Sequence, residues 1–456
     1  MLPKQATNQG KGRPSHEKLY IRPWFGAAHT QSVIIVGPPW PRSAALRVIQ
    51  TQVQYYRQRG FSTVFVGVPF LWDFKYLPEI SARLPQGVTE LDADRVFVAT
   101  FDDKTYNSKR YHATNWRAFS GTALDWQVAI ARACRLREEE MNFMRKLQPA
   151  LFHVNHLYTL GFALCLRKQL FGPDSRPPLI LETHDVQSHL THQKGDRNPG
   201  TARPDGLQRL IKSEVSLLKK ADVLIHISRH DFAFFQRLLP SKPQFLVFPT
   251  IDEKFRSRVK RVPSPPEAID LLFVGQWHPA NFVGIRWFLQ TVWPLIVDRN
   301  YSLKIVGAIG HMVQRKSPKL YKAFCACFVG EVVDLVPYYR AARCVIAPMR
   351  WGTGISIKTV EALSLGKPFV GTSTAFRGMP MERLKEAGLL AHDDAKSFAR
   401  AISLALSRER QAASISRAVY EDVFSNRASF ATRDAAFRAA GPVEGRRHRS
   451  RQPAKS

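Results

Sequence analysis

Cysteine is scarce in this 456-residue chain: five residues, Cys134, Cys165, Cys325, Cys327 and Cys344, odd in number and scattered. That excludes a disulfide framework and fits a reducing compartment. No apolar run is long enough to cross a bilayer, and the N-terminus has no apolar signal core, so a cytoplasmic location is expected. Acidic residues are few too. Against 37 Asp and Glu stand 67 Lys and Arg, a formal net charge of +30, which speaks to partners rather than to fold. The basic residues are spread along the chain without a helix-turn-helix, zinc-finger or RNA-binding pattern. That counts against nucleic acid and favours an anionic membrane surface or an acidic glycan, beside a general arginine-rich bias. Metal signals are weak. Asp92-Ala-Asp94 precedes the apolar run Val96–Ala99 instead of following a strand, and His184, His189 and His192 lack a matched fourth ligand. Cys325-Ala-Cys327 reads as small apolar packing on one face of a strand. No metal site is expected.

What is present is ample apolar material, 45% hydrophobic residues, enough for two cores at this length. In the second half, Leu271–Gly275, Leu303–Gly307, Phe328–Gly330, Cys344–Pro348 and Phe369–Gly371 are strand-like runs. Amphipathic segments separate them, notably Phe282 to Val297, with Trp287, Phe288, Val292 and Ile296 at helical spacing. This alternation predicts a parallel sheet covered by helices, whose ligands sit beyond the C-terminal strand ends. The first half repeats the pattern less strongly in Val33–Gly37, a helix over Ala44 to Arg59, Phe61–Val68, Leu151–Asn155, Leu179–Asp185, Val223–Ser228 and Phe245–Phe248.

The most informative stretch runs from Pro348 to Pro368. A buried strand ends there in a loop with Gly352 and Gly354, which allow a tight turn and close approach to a ligand. Thr353 or Ser356 can cap the following helix, whose first amides point at an anion. Lys358 in its first turn suits a diphosphate, and Glu361, one turn on, suits sugar hydroxyls. Gly366 and Pro368 close the helix.

Residues Leu272–Gln276, Trp287-Phe288, Lys304–Gly307, Gly330 to Tyr339 and above all Pro348 to Pro368 make the chain resemble the retaining glycosyltransferases of family 4, the group 1 type. The resemblance covers about residues 270 to 400 and implies an α/β fold of two facing Rossmann-like domains, the GT-B architecture, with a cleft between them. It implies donor-binding roles for Gly275, Gly352, Thr353, Gly354, Ile355, Ser356, Lys358 and Glu361, with Glu361 on the nucleotide ribose. Thr353 stands where the family's first glutamate usually lies. The Arg and Lys that many relatives carry after the first strand are absent from Gly275–Asn281, so diphosphate charge falls to Arg350, Lys358 and the helix dipole. The turn Thr183-His184-Asp185 resembles the one beneath the acceptor side, giving His184, Asp185 and Arg42 as acceptor-side residues, with His184, Lys358 and Arg350 as catalytic ones.

The expected organisation is a basic extension over 1–29, an acceptor-side domain over 30–251, a linker over 252–268, a nucleotide-sugar domain with closing helices over 269–440, and a basic disordered tail over 441–456. The last helices, from about Ser397 to Phe437, are expected to cross back to the first domain. The expected activity is sugar transfer from a nucleotide-sugar co-substrate to a glycan or lipid-linked acceptor, with retention and with neither metal nor other cofactor. A peripheral position on the cytoplasmic membrane face accommodates such an acceptor. A sugar-nucleotide epimerase or hydrolase, or a non-catalytic scaffold, is the competing reading. The aromatic residues Trp24, Phe25, Trp40, Phe70, Trp72, Phe74 and Tyr76 are candidates for stacking on an acceptor as much as for core packing.

Overall fold

The computed structural model describes residues 31–40, 44–69, 91–100, 120–147, 149–172, 176–197, 206–263 and 267–441. Arg42, both basic ends, and all the aromatic candidates except Trp40 lie outside the described residues.

The apolar runs of the first half form seven parallel strands: β1 (Ser32–Gly37), β2 (Ser62–Gly67), β3 (Arg95–Val98), β4 (Pro149–Asn155), β5 (Leu179–Glu182), β6 (Val223–His226) and β7 (Gln244–Leu246). They lie in the order β3-β2-β1-β4-β5-β6-β7. Alternate residues face opposite layers. Ile34 and Val36 of β1 join Phe152, Val128 and Phe162 on one face, while Val33 and Ile35 meet Ile49, Tyr56 and Phe430 on the other. Burial on both faces explains why these strands read as continuous apolar runs.

The second half forms β8 (Ile269–Val274), β9 (Leu303–Val306), β10 (Phe328–Gly330), β11 (Ala342–Ala347) and β12 (Phe369–Gly371), in the order β10-β9-β8-β11-β12, again all parallel. In both sheets the strand order reverses beside the first strand, between β1 and β4 and between β8 and β11. Such switch points open a crevice at the C-terminal strand ends.

Three local expectations are corrected. The segment 252–268 carries a helix, Glu253–Arg261, capped by the Asp252 carboxylate accepting from Phe255 N. Its buried Phe255 and Val259 sit four apart and pack on the second domain's core, a one-stripe periodicity that the surrounding charges obscure. The helix over Phe282 to Val297 is broken: Pro279–Trp287 is α-helical, Phe288–Val292 forms a π turn, and Trp293–Leu295 tightens to a 3₁₀ turn. Pro294, which has no N–H to donate, sits at that transition. Cys325–Cys327 is a 3₁₀ turn before β10 instead of a strand, with Cys325 exposed.

The closing helices do return to the first sheet. Helix Asn426–Ala440 inserts Phe430 and Ala436 into the layer beside β1. Its Arg433 Nη1 donates to Glu182 Oε2 at 2.9 Å, with the two residues 2% and 0% exposed. Burial alone would raise the Glu182 pKa, but Arg433 and His153 outweigh it and hold the carboxyl far below the usual range. The outgoing and returning chain segments touch where they cross. Thr250 Oγ1 donates to Asn426 Oδ1 at 2.9 Å, and the Tyr420 hydroxyl accepts from Ile251 N at 3.2 Å.

Candidate functional site

The C-terminal ends of the two sheets face each other across a cavity of about 1040 Å³. From the first half it is lined by Trp40, Arg47, His156, His184, Asp185 and Ile227. The second half contributes Gly275–His278, Asn281, Gly307, Val332–Leu335, Met349, Trp351–Thr353, Ile355–Lys358, Glu361 and Arg377. Both switch points open into it, as the strand orders require.

The glycine loop leaves β11 and enters helix Ile357–Ser364. Gly275, Gly352, Thr353, Ile355, Ser356, Lys358 and Glu361 all line the same cavity. Ser356 occupies the N-cap position, but its hydroxyl makes no capping bond and is buried without a partner. Gly354 serves a different contact. It has φ 61°, and a Cβ there would strike the Asp185 carboxylate and lie 2.7 Å from His184 O, so glycine lets this loop press on the first domain's turn.

Lys358 is buried. Its Nζ donates to Asn281 Oδ1 at 2.5 Å and lies 4.8 Å from the Phe273 ring centroid. Burial, then the nearby Arg377 charge, pushes its pKa down to about 7, while Glu361 pulls the other way. Glu361 is 6% exposed and both its oxygens are engaged. Tyr339 Oη donates to Oε2 at 2.9 Å, and Arg47 Nε lies 3.2 Å from Oε1. Arg47 comes from helix Ala44–Gln58, so this ion pair spans the cleft.

Arg350 is placed elsewhere. Its guanidinium donates to Asp393 O at 2.6 Å, lies 4.8 Å from the Trp287 ring centroid, and is not on the cavity wall. Its neighbours Met349 and Trp351 line the cavity, so the chain at Arg350 turns this one side chain outward. Arg377 lies on the cavity wall and was missed. It follows β12, and a loop after a parallel strand was the signal that could have found it. Its Nε donates to Thr353 O at 2.9 Å and its Nη1 to Thr374 O at 2.8 Å. Burial lowers its pKa, against the pull of Asp185 and Asp231.

On the opposite wall, His184 and His156 end β5 and β4 in left-handed conformations, φ 63° and 65°. Their rings stack with centroids 4.0 Å apart. The Asn155 amide nitrogen donates to Val36 O at 3.3 Å, so its oxygen accepts, and His184 donates to it from Nε2 at 2.9 Å. Burial, against the attraction of Glu182, brings His184 down to about 4, which leaves it neutral near pH 7. His156, not among the residues expected from the sequence, has a buried Nε2 without a partner. Trp40 approaches its ring edge-on at 5.7 Å and stacks with Tyr158 at 6.0 Å. Behind Asp185, burial raises Asp231 to about 8 and Glu214 to about 7.

Asp92 and Asp94 serve structural contacts. Asp92 pairs with Arg57 at 2.9 Å and Lys254 at 2.6 Å, and Asp94 accepts from Thr63 N at 2.8 Å. His189 packs on Phe234 at 4.8 Å. Among the described residues, no group of three or more His, Cys, Asp or Glu is arranged to hold a metal ion, and no helix is long and apolar enough to cross a membrane.

Residues 268–408 match the family model of group 1 glycosyl transferases, the span that holds the second sheet and the glycine loop. Comparison with curated proteins finds no match. Solved structures share the fold over nearly the whole chain. A glycosyltransferase from Rickettsia africae ESF-5 superposes with a TM-score of 0.57 at 10% identity, covering 90% of this chain and 99% of that one. HepE of Anabaena, solved in complex with UDP, gives 0.53 at 12% identity, covering 90% and 100%. An α,α-trehalose-phosphate synthase (UDP-forming) from Burkholderia vietnamiensis also gives 0.53 at 12% identity, covering 90% and 100%. The expected GT-B architecture of two facing Rossmann-like halves is the fold of this chain.

Proposed function

Taking the group 1 glycosyl transferase match of residues 268–408 as premise, we propose that this protein transfers a sugar from a nucleotide-diphosphate donor to a glycan or lipid-linked acceptor. One observation carries the reading: Lys358, Glu361, the unpartnered Ser356 hydroxyl and a helix N-terminus all meet in the cavity where both sheets end. An anion with a sugar attached to it is the ligand that such a set recognises.

In this reading the second domain binds the donor. Glu361 accepts from the ribose hydroxyls, sharing its carboxylate with Tyr339 and Arg47. Lys358 and the first amides of helix Ile357–Ser364 hold the diphosphate and stabilise its charge as the glycosidic bond breaks. The cleavage needs no covalent nucleophile and no metal in this scheme, and the configuration of the sugar is retained. The acceptor enters from the first domain, over His156, His184 and Asp185. A closed cleft excludes water and so limits hydrolysis of the donor. Work on the cytoplasmic membrane face suits the positive charge of the chain.

The test is a calorimetric and thermal-shift screen against UDP-, GDP-, ADP- and dTDP-sugars, with Glu361→Ala and Lys358→Ala alongside. UDP-sugars come first, because two of the similar structures are described with UDP or as UDP-forming. Stabilisation by one nucleotide sugar that both variants lose supports the donor site. Absence of any shift or heat across the panel rejects it. Turnover of the donor without an acceptor would move the assignment to a hydrolase or epimerase.

A further inference from the structure

Two of the five Lys and Arg side chains on the cavity wall have no carboxylate in contact. Arg47 is matched by Glu361, Lys254 by Asp92, and Arg258 by Asp334 at 2.5 Å. Arg377 and Lys358 have no such match. Neither forms an ion pair with any carboxylate among the described residues. Their donors end on the neutral oxygens of Thr353, Thr374 and Asn281. Asp185 and Asp231 act on Arg377 only from beyond contact range, and burial together with Asp185 favours the protonated, uncharged form of Asp231.

Holding two such cations on one wall, partly withdrawn from solvent, is costly unless an anion joins them. Here the two also repel each other, since the charge of Arg377 is one reason Lys358 gives up its proton. The loop is built to bring them there. Gly352 has φ 151°, and a Cβ at that position would lie 2.9 Å from Arg377 Cζ, so glycine suits both this backbone and the close approach of the guanidinium. Two backbone carbonyls then fix its plane, leaving its remaining N–H groups for a ligand. The Ser356 hydroxyl is buried on the same wall without a partner.

We propose that Arg377 is the second cation of the donor's diphosphate, acting with Lys358 in the role expected of Arg350 from the sequence. The inference rests on the nucleotide-diphosphate reading above and adds a binding residue to it. Arg377 contacts an oxygen of the diphosphate through the guanidinium nitrogen that faces the cavity. A nucleoside monophosphate, one phosphate shorter, gains less from it.

The experiment titrates UDP and UMP, and the GDP/GMP, ADP/AMP and dTDP/dTMP pairs, into the full chain as wild type, Arg377→Gln, Arg377→Lys and Arg350→Gln. Thermal unfolding of each variant is measured alongside. For the pair that binds wild type, Arg377→Gln is expected to weaken the diphosphate at least about tenfold while changing the monophosphate less than about threefold. Arg350→Gln is expected to change neither. Arg377→Lys keeps the charge but cannot span both carbonyls, so the ratio of diphosphate to monophosphate affinity should fall by a smaller factor. It is the deciding variant if Arg377→Gln does not fold. A wild type that binds a diphosphate, with a ratio unchanged at Arg377, overturns this role and leaves the donor site standing. A wild type that binds no nucleoside diphosphate removes the functional reading, and the role of Arg377 with it.

Discussion

Binding of a diphosphate should draw a proton from solution, and Lys358 sets how much. Its Nζ contacts Asn281, Met349 and the Phe273 ring, with Arg377 and Glu361 as the charges that act on it. Burial first, then Arg377, lower it to about 7. A bound diphosphate restores the charged form and carries the pKa back toward its ordinary value near 10.4. At pH 8 the free lysine is then about one-tenth protonated and the bound one almost fully, so about 0.9 proton enters per nucleotide. At pH 7 the uptake is about 0.5, and at pH 6 about 0.1. Affinity accordingly falls almost tenfold per pH unit between about 8 and 10. Calorimetry in two buffers of different ionisation enthalpy counts the protons directly. Asp231 and Glu214 titrate in the same range behind Asp185, so Asp231→Asn and Glu214→Gln serve as controls and should keep most of the uptake. Lys358→Arg, charged throughout, should remove it. Zero uptake at pH 8 in wild type, or an unchanged uptake in Lys358→Arg, refutes the reasoning.

Three further outcomes follow from contacts already described. Glu361→Gln removes the charge that accepts from Tyr339 and faces Arg47, and should weaken nucleoside diphosphate binding by about 10- to 100-fold in the same titrations. Gly354→Ala places a side chain at φ 61° against Asp185 and His184; the conformation alone costs about 1–2 kcal/mol, to be read as a lower urea midpoint together with slower sugar transfer. Arg433→Ala leaves Glu182 buried without its main counter-charge and should cost about 3–5 kcal/mol in chemical denaturation. Because Glu182 has a folded pKa below its unfolded one, the wild-type contribution is complete above about pH 4.3 and fades as pH falls below it. A variant whose stability loss is as large at pH 3 as at pH 7 would contradict that linkage.

The fold was legible in the sequence because burial on both faces writes parallel strands as short apolar runs. Leu271–Phe273 and Val33–Val36 are such runs, and both lie at a switch point. The loop after β11 was legible for a related reason: glycine, serine and lysine at a strand-to-helix junction leave few structural alternatives. Arg47 and His156 were not legible, since their importance comes from which strand ends the topology brings together, across hundreds of residues. Arg350 misled because nearness in sequence to the loop stood in for direction in space, and the side chain turns to Trp287. The helix in 252–268 was hidden by its composition. Six of the nine residues of Glu253–Arg261 are charged, and two apolar ones carry the packing.

The return of helix Asn426–Ala440 to the first sheet has a consequence for how the protein is made. A chain leaves the ribosome N-terminus first, and its domains ordinarily fold in that order. Here the first half cannot finish alone. Until residue 440 emerges, the layer of Tyr55, Tyr56 and Phe61 lacks Phe430 and Phe437, and Glu182 lacks Arg433. Synthesis of the entire second half therefore separates the first sheet from its own cover, and a nascent chain stalled before helix Asn426–Ala440 exposes an apolar face and leaves Glu182 without its counter-charge. Completion of the first domain thus reports that translation has passed helix Asn426–Ala440.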